Sequence, residues 1–166
     1  MASIAPLRRL SSLQPQAEAM LSAIMEKLDY VGVMAMECFR LDNQLLVNEL
    51  APRVHNSGHW TQAGTHMDQF QLHLRALCDL PLMPPQVNFQ CVMVNLIGVD
   101  KDERWLSLAN AELFWYNKEI RPGRKVGHLT LSVHDGQMLQ ASVNALQAWL
   151  PAHYQPILSW ILDEFA

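Results

Sequence analysis

Charge is what this sequence has least of. Only 17% of its 166 residues are Asp, Glu, Lys or Arg, against about 25% in an ordinary soluble domain. With 50% hydrophobic residues, the composition excludes disorder and a charged nucleic-acid tail. Twelve Lys and Arg against sixteen Asp and Glu leave a net charge of −4. No basic field therefore draws nucleic acid or an anionic membrane, and neither is expected as a partner. Cysteine is scarce as well. Cys38, Cys78 and Cys91 are an odd number without CxxC spacing, which excludes a disulfide framework and a zinc knuckle and fits a reducing, cytoplasmic setting. No apolar run approaches the roughly 20 residues of a membrane span. GxGxxG, HExxH and a GxxxxGK run ending in Ser or Thr are all missing, so no phosphate loop or zinc helix of those kinds is present. Against these absences stand five Trp and nine Met, more adhesive surface than one small core needs.

Apolar periodicity gives the organisation. Ala17, Met20, Leu21, Ile24, Met25 and Leu28 recur at helical spacing, with Pro15 and Glu18 suited to the helix start. Val31 to Phe39 reads as a buried strand, Asp42 and Asn43 as a turn, and Gln44 to Leu50 as the returning strand of a hairpin. Residues 51–60 form a polar loop. Thr61 is placed to cap a helix running to about Cys78, with Met67, Phe70, Leu74 and Leu77 on its inner face. Pro81 to Pro85 reads as a linker. Beyond it come three strand-like runs (Cys91–Gly98, Glu112–Tyr116 and Val126–Leu131), a helix to about Trp149 behind a Ser132/Asp135 capping box, and a last helix from about Gln155. The order predicts an α+β fold in two domains, 1–80 and 81–166.

Three clusters carry chemistry. Glu37 lies inside an apolar strand, where an ionised carboxylate is costly without compensation. A three-residue hairpin loop, 42–44, sets Glu37 directly opposite Glu49 on one face; a divalent cation bound by oxygen ligands would relieve that repulsion. A two-residue loop instead sets Glu37 opposite Asn48 and turns Glu49 to the other face, leaving ordinary solvated glutamates. The segment Arg53 to Trp60 follows directly and gathers a guanidinium, two imidazoles, an amide and a hydroxyl, a set suited to clamping an anion. His55 and His59 are four apart, but Asn56, Ser57 and Gly58 between them argue against a helix and a zinc pair. The third cluster, Lys118 to His128, concentrates four basic residues around a Pro122-Gly123 turn, either to hold a phosphate group or as an idle solvated tip.

The string from Val47 to Thr61, with Gly32 to Phe39, Gln69 to Ala76 and Lys118 to Leu129, resembles the ATP-grasp ligases of purine biosynthesis, and among them the N5-carboxyaminoimidazole ribonucleotide synthases, the ATPase subunit of phosphoribosylaminoimidazole carboxylase. The resemblance runs from about residue 13 to the end of the chain. It implies the C-terminal half of an ATP-grasp domain followed by a small mixed β-sheet domain with helices. It also implies a ligase that uses ATP to activate bicarbonate as carboxyphosphate and carboxylates 5-aminoimidazole ribonucleotide. Glu37 and Glu49 fall on that family's Mg²⁺ ligands, with Mn²⁺ an alternative ion, and Asn48 lies in its nucleotide site. Arg53 matches the arginine that holds the bicarbonate-derived anion and is the catalytic candidate. His55, Asn56 and Ser57 line the substrate side, and Lys118, Arg124 and Lys125 match the ribonucleotide-phosphate turn.

The family's enzymes are roughly twice as long as this chain. The implied partners are therefore the missing N-terminal half and a second protomer, and the chain alone is expected to be inactive. A non-catalytic nucleotide-binding or dimerisation module is the other reading the sequence leaves open. Exposed apolar surface is expected over residues 13–50.

Overall fold

Residues 91–96 are almost wholly apolar, broken only by Asn95, and a continuous apolar run of that length forms a strand buried on both faces. In the computed structural model, which describes residues 1–166, this run is fully enclosed. In chain order the elements are β1 (Ala2–Ala5), α1 (Gln14–Lys27), β2 (Ala35–Leu41), β3 (Gln44–Ala51), α2 (Thr61–Gly64), α3 (Gln69–Leu77), β4 (Gln90–Ile97), β5 (Ala111–Trp115), β6 (Lys125–Val133), α4 (Gly136–Trp149) and α5 (Gln155–Glu164). Mixed helix and antiparallel sheet make the chain α+β. It divides into two units, one of Met1–Pro6 with Val87–Ala166, the other Leu7–Gln86.

The first unit holds a four-stranded antiparallel sheet in the order β1-β4-β6-β5. Leu139, Val143 and Leu146 of α4 and Leu158 and Ile161 of α5 are enclosed with it, spaced as one face of each helix requires. Asp135 caps α4 by accepting a hydrogen bond from the Met138 amide, so the cap is Asp135 and Ser132 belongs to β6. Strand β1 escaped the sequence reading because four residues without alternation carry no periodic signal. Its pairing with β4 is what groups Met1–Pro6 with residues 87–166.

Cys91 sits at the start of β4 with no exposed surface, and burial pushes its thiol up to about 11 from an ordinary value near 9. Burial also raises Tyr116 and Tyr154. Each of these groups is held neutral in the fold and ionises more readily once unfolded. The contribution of Cys91 is therefore whole below about pH 9 and is lost as pH rises through about 11, and those of the two tyrosines are lost at alkaline pH in the same direction. Urea unfolding across that window is expected to show falling midpoints. At pH 8, a thiol reagent should label exposed Cys78 quickly and Cys91 only after unfolding.

The second unit is built differently. Its sheet is only the β2–β3 hairpin, an arrangement that is marginal at best in water on its own. Helix α1 has no fully buried residue, and the enclosed apolar side chains of residues 7–86 are Leu13, Met34, Ala51 and Met67. Phe39, Leu41 and Leu46 are each more than half exposed. Apolar exposure over 13–50 is thus present, and it extends to Leu74, Leu77, Leu80, Leu82 and Met83.

Two sequence expectations are corrected here. The single helix over 61–78 is two helices, because Thr65 turns extended and its hydroxyl bonds the Thr61 and Met67 carbonyls. Asp68 then caps α3, its carboxylate accepting from the Phe70 and Gln71 amides. The stripe Phe70, Leu74 and Leu77 faces outward, and only Met67 of that set is buried. The strand read from Val31 begins instead at Ala35. Residues before it form an irregular entry, in which the Val33 amide donates to His73 Nδ1 at 3.0 Å and Tyr30 Oη donates to the Val33 carbonyl at 3.1 Å.

Candidate functional site

The hairpin combines both registers that the sequence allowed. Its connection is the two-residue turn Asp42–Asn43, and Leu41↔Gln44 through Cys38↔Val47 follow the register that turn sets. One extra residue, Asn48, then bulges out of β3, and past it the pairing becomes Glu37↔Glu49. Two carboxylates end directly opposite each other, on one face and both exposed. The same face continues toward the turn through Phe39, Leu46 and Leu41, so an acidic end adjoins an apolar end.

Like charges directly opposite in a ladder are destabilising by about 0.2–1 kcal/mol. No group of three or more His, Cys, Asp or Glu is placed to hold a metal ion. Two carboxylates are nonetheless the number Mg²⁺ typically takes from a protein when substrate phosphates and water complete its octahedron. The donor set fits a hard divalent cation of that kind and does not fit zinc.

The chain leaves β3 through Ala51, whose carbonyl accepts from the Arg53 amide at 2.8 Å. Arg53 is exposed; its Nη1 donates to the Val54 carbonyl at 3.0 Å, which fixes the stem of the guanidinium. His55 turns back toward the hairpin, with Nε2 3.5 Å from Glu37 Oε1. On the other side of its ring, Nδ1 accepts from the Ser57 amide at 3.3 Å and lies 2.9 Å from Ser57 Oγ. A backbone amide can only donate, so Nδ1 carries the lone pair and Nε2 the proton that faces Glu37. Asn56 opens the 3₁₀ turn Asn56–Gly58. Within residues 7–86 the structure therefore brings Glu37, Glu49 and His55 together, with Asn48 at the bulge and Ser57 on the His55 ring.

One residue that the sequence reading left without a role holds this loop. Gln69 is 4% exposed, and its side chain bonds both the amide and the carbonyl of His55 as well as the His59 ring. His59 in turn stacks on Phe70, with centroids 5.6 Å apart. A glutamine in the first turn of a helix carries no distinctive sequence signal, because such residues are common there.

Lys118, Arg124 and Lys125 belong to the other unit, the first two in the connection between β5 and β6 and Lys125 at the start of β6. Arg121 to Arg124 form a tight turn closed by the Arg124 amide on the Arg121 carbonyl at 3.1 Å, with Gly123 at φ +74°. Pro122 followed by a left-handed glycine is the type II pattern. Arg121 is engaged by Glu119, Nη2 to Oε2 at 2.5 Å. Lys118 places its ammonium 5.2 Å above the Tyr116 ring. Tyr116 Oη is in turn 2.6 Å from Nδ1 of the buried His128, which stacks on Phe114. Lys118 and Arg124 are exposed around this turn, and Lys125 is half-buried.

The ATP-grasp domain family matches residues 1–70, and the phosphoribosylaminoimidazole carboxylase C-terminal domain family matches residues 91–142. The N5-carboxyaminoimidazole ribonucleotide synthase of Escherichia coli is 58% identical over 152 residues, which are 92% of this chain and 43% of that protein. The crystal structure of the Thermus thermophilus synthetase superposes with a TM-score of 0.83 at 46% identity, covering 89% of this chain and 41% of the other. An Aspergillus clavatus synthase, solved with ADP and 5-aminoimidazole ribonucleotide, superposes with a TM-score of 0.76 at 30% identity over 88% of this chain and 43% of its own. The chain spans less than half the length of the relatives it matches.

Proposed function

The chain is related, over less than half of their length, to the N5-carboxyaminoimidazole ribonucleotide synthases of the ATP-grasp family, and from that premise we propose that it forms the metal- and anion-binding part of an ATP-dependent carboxylating ligase of purine biosynthesis. The substrates are 5-aminoimidazole ribonucleotide, bicarbonate and ATP, and the product is N5-carboxyaminoimidazole ribonucleotide, formed by way of carboxyphosphate. The observation that carries this reading is the Glu37–Glu49 pair, opposed on one hairpin face by the bulge at Asn48 and followed at once by the Arg53–His59 loop.

Glu37 and Glu49 would hold Mg²⁺, or Mn²⁺ in its place, and the bound ion would neutralise phosphate charge during phosphoryl transfer. Asn48, thrown outward by the bulge, adds an amide beside the nucleotide phosphates. Phe39 and Leu46, farther along the same face, offer an apolar seat for a base. Arg53 keeps most of its guanidinium donors for the bicarbonate-derived anion and stabilises charge on it as it transfers. His55 orients the Glu37 carboxylate, while Asn56 and Ser57 present polar groups to the substrate. Lys118, Arg124 and Lys125, around this turn, take the ribonucleotide phosphate, leaving Arg121 to Glu119. Catalysis on this reading is positioning and charge neutralisation, with no covalent step on the protein.

The exposed apolar faces of residues 7–86 are where the remaining N-terminal part of the ligase packs, and a homodimer in the cytoplasm is the proposed assembly. Assaying the chain with ATP, bicarbonate and 5-aminoimidazole ribonucleotide, with and without that N-terminal part, is the test. Turnover is expected only from the mixture. A mixture that associates and binds nucleotide without turnover would favour a non-catalytic binding or dimerisation module.

A further inference from the structure

We propose that Gln69 is the positioning residue of the Arg53–His59 loop, fixing through one amide both the path of the loop and the proton position of His59. Its Oε1 lies 2.9 Å from the His55 amide, which can only donate, and its Nε2 lies 2.9 Å from the His55 carbonyl, which can only accept. A flipped amide would set donor against donor and acceptor against acceptor, so the orientation is forced. The second Nε2 hydrogen then points at His59 Nδ1, 3.0 Å away, and that nitrogen must carry a lone pair. His59 is therefore the Nε2–H tautomer through Gln69, just as His55 is the Nε2–H tautomer through Ser57.

The surrounding residues are arranged for this contact. Gly58 packs so closely that a Cβ there would overlap the Gln69 amide. Thr61 Oγ1 accepts from the Gln69 backbone amide at 3.0 Å and donates to the Gly58 carbonyl at 2.6 Å, fastening the other end of the 3₁₀ turn. Asp68 caps α3 and so occupies the neighbouring amides, leaving the Gln69 side chain to reach back over the loop. A buried amide with both of its hydrogens engaged holds the His55 Nε2–H toward Glu37 without being able to touch a substrate itself.

The test is histidine ¹⁵N NMR on the full 166-residue chain in mildly alkaline buffer. In the unmodified chain both His55 and His59 are expected to show a pyridine-type Nδ1 and a pyrrole-type Nε2. In Gln69→Glu the side chain can no longer donate, so the His59 proton should move to Nδ1 while His55 keeps its tautomer. An averaged His59 in the unmodified chain overturns the proposal, and so does a His59 unchanged in Gln69→Glu; the first result needs no variant to fold.

A second arm rests on the metal reading above. Mn²⁺ affinity, followed by water-proton relaxation, should weaken about tenfold in Gln69→Glu, as removal of outer-shell support does elsewhere. Affinity that depends on Glu49 yet is unchanged in Gln69→Glu overturns the positioning role. Expected tautomers with Mn²⁺ binding that ignores Glu49→Gln uphold it and count against the metal reading alone.

Discussion

Glu49→Gln is expected to lower Mg²⁺-dependent carboxylation by the two-part enzyme roughly 10²- to 10³-fold, the usual cost of removing one group that stabilises transferring charge. The same substitution should make the isolated hairpin more stable by about 0.2–1 kcal/mol, because it removes the repulsion between opposed carboxylates. Glu37 and Glu49 face each other only because Asn48 bulges. Deleting Asn48 would remove the bulge and bring Glu49 opposite Glu37 in an unbroken ladder, so the carboxylate pair is kept and activity is expected to fall less than in Glu49→Gln. Opposite signs for activity and stability are the signature of a binding site. A glutamate that merely supported the fold would lose both together, and equilibrium unfolding beside steady-state rates separates the two cases.

Amide hydrogen exchange on the chain alone should divide sharply between the two units. β4 and β6 are enclosed on both faces, so their amides are expected to exchange only through global opening. α1 and the β2–β3 hairpin lack such enclosure and should exchange at least 10²-fold faster. Supplying the N-terminal part of a full-length relative should close that gap. Phe39, Leu41, Leu46, Leu74 and Leu77 are exposed, and fully burying a large apolar side chain is worth about 1.5–3 kcal/mol. Covering even two of them supplies several kcal/mol of local protection. Protection of α1 and the hairpin that is already high in the isolated chain would mean that this unit needs no further covering.

The elements that position the site were largely legible, because hairpin strands and amphipathic helices announce themselves through apolar spacing. Glu37 inside an apolar run and a polar loop directly after Glu49 were visible as anomalies. The register was not, since the turn and the bulge each add a separate displacement and only the second is invisible to turn chemistry. The stripe Phe70, Leu74 and Leu77 was read correctly as one helical face and wrongly as an inner one. Periodicity reports that a face is apolar, and says nothing of whether its partner lies in the same chain. The helix break at Thr65 came from side chains competing for backbone carbonyls within an otherwise continuous period. Gln69 stayed hidden because its role depends on the fold of a loop ten or more residues earlier in the chain.

The most direct test is a chimaera in which residues 13–166 replace the matching segment of the Escherichia coli relative. Product formation from ATP, bicarbonate and 5-aminoimidazole ribonucleotide is then measured with and without Glu37→Gln. Turnover near the parent's, falling at least 10²-fold in the variant, is the predicted result. A folded chimaera that binds ATP but makes no product, or one indifferent to Glu37→Gln, would contradict the assignment.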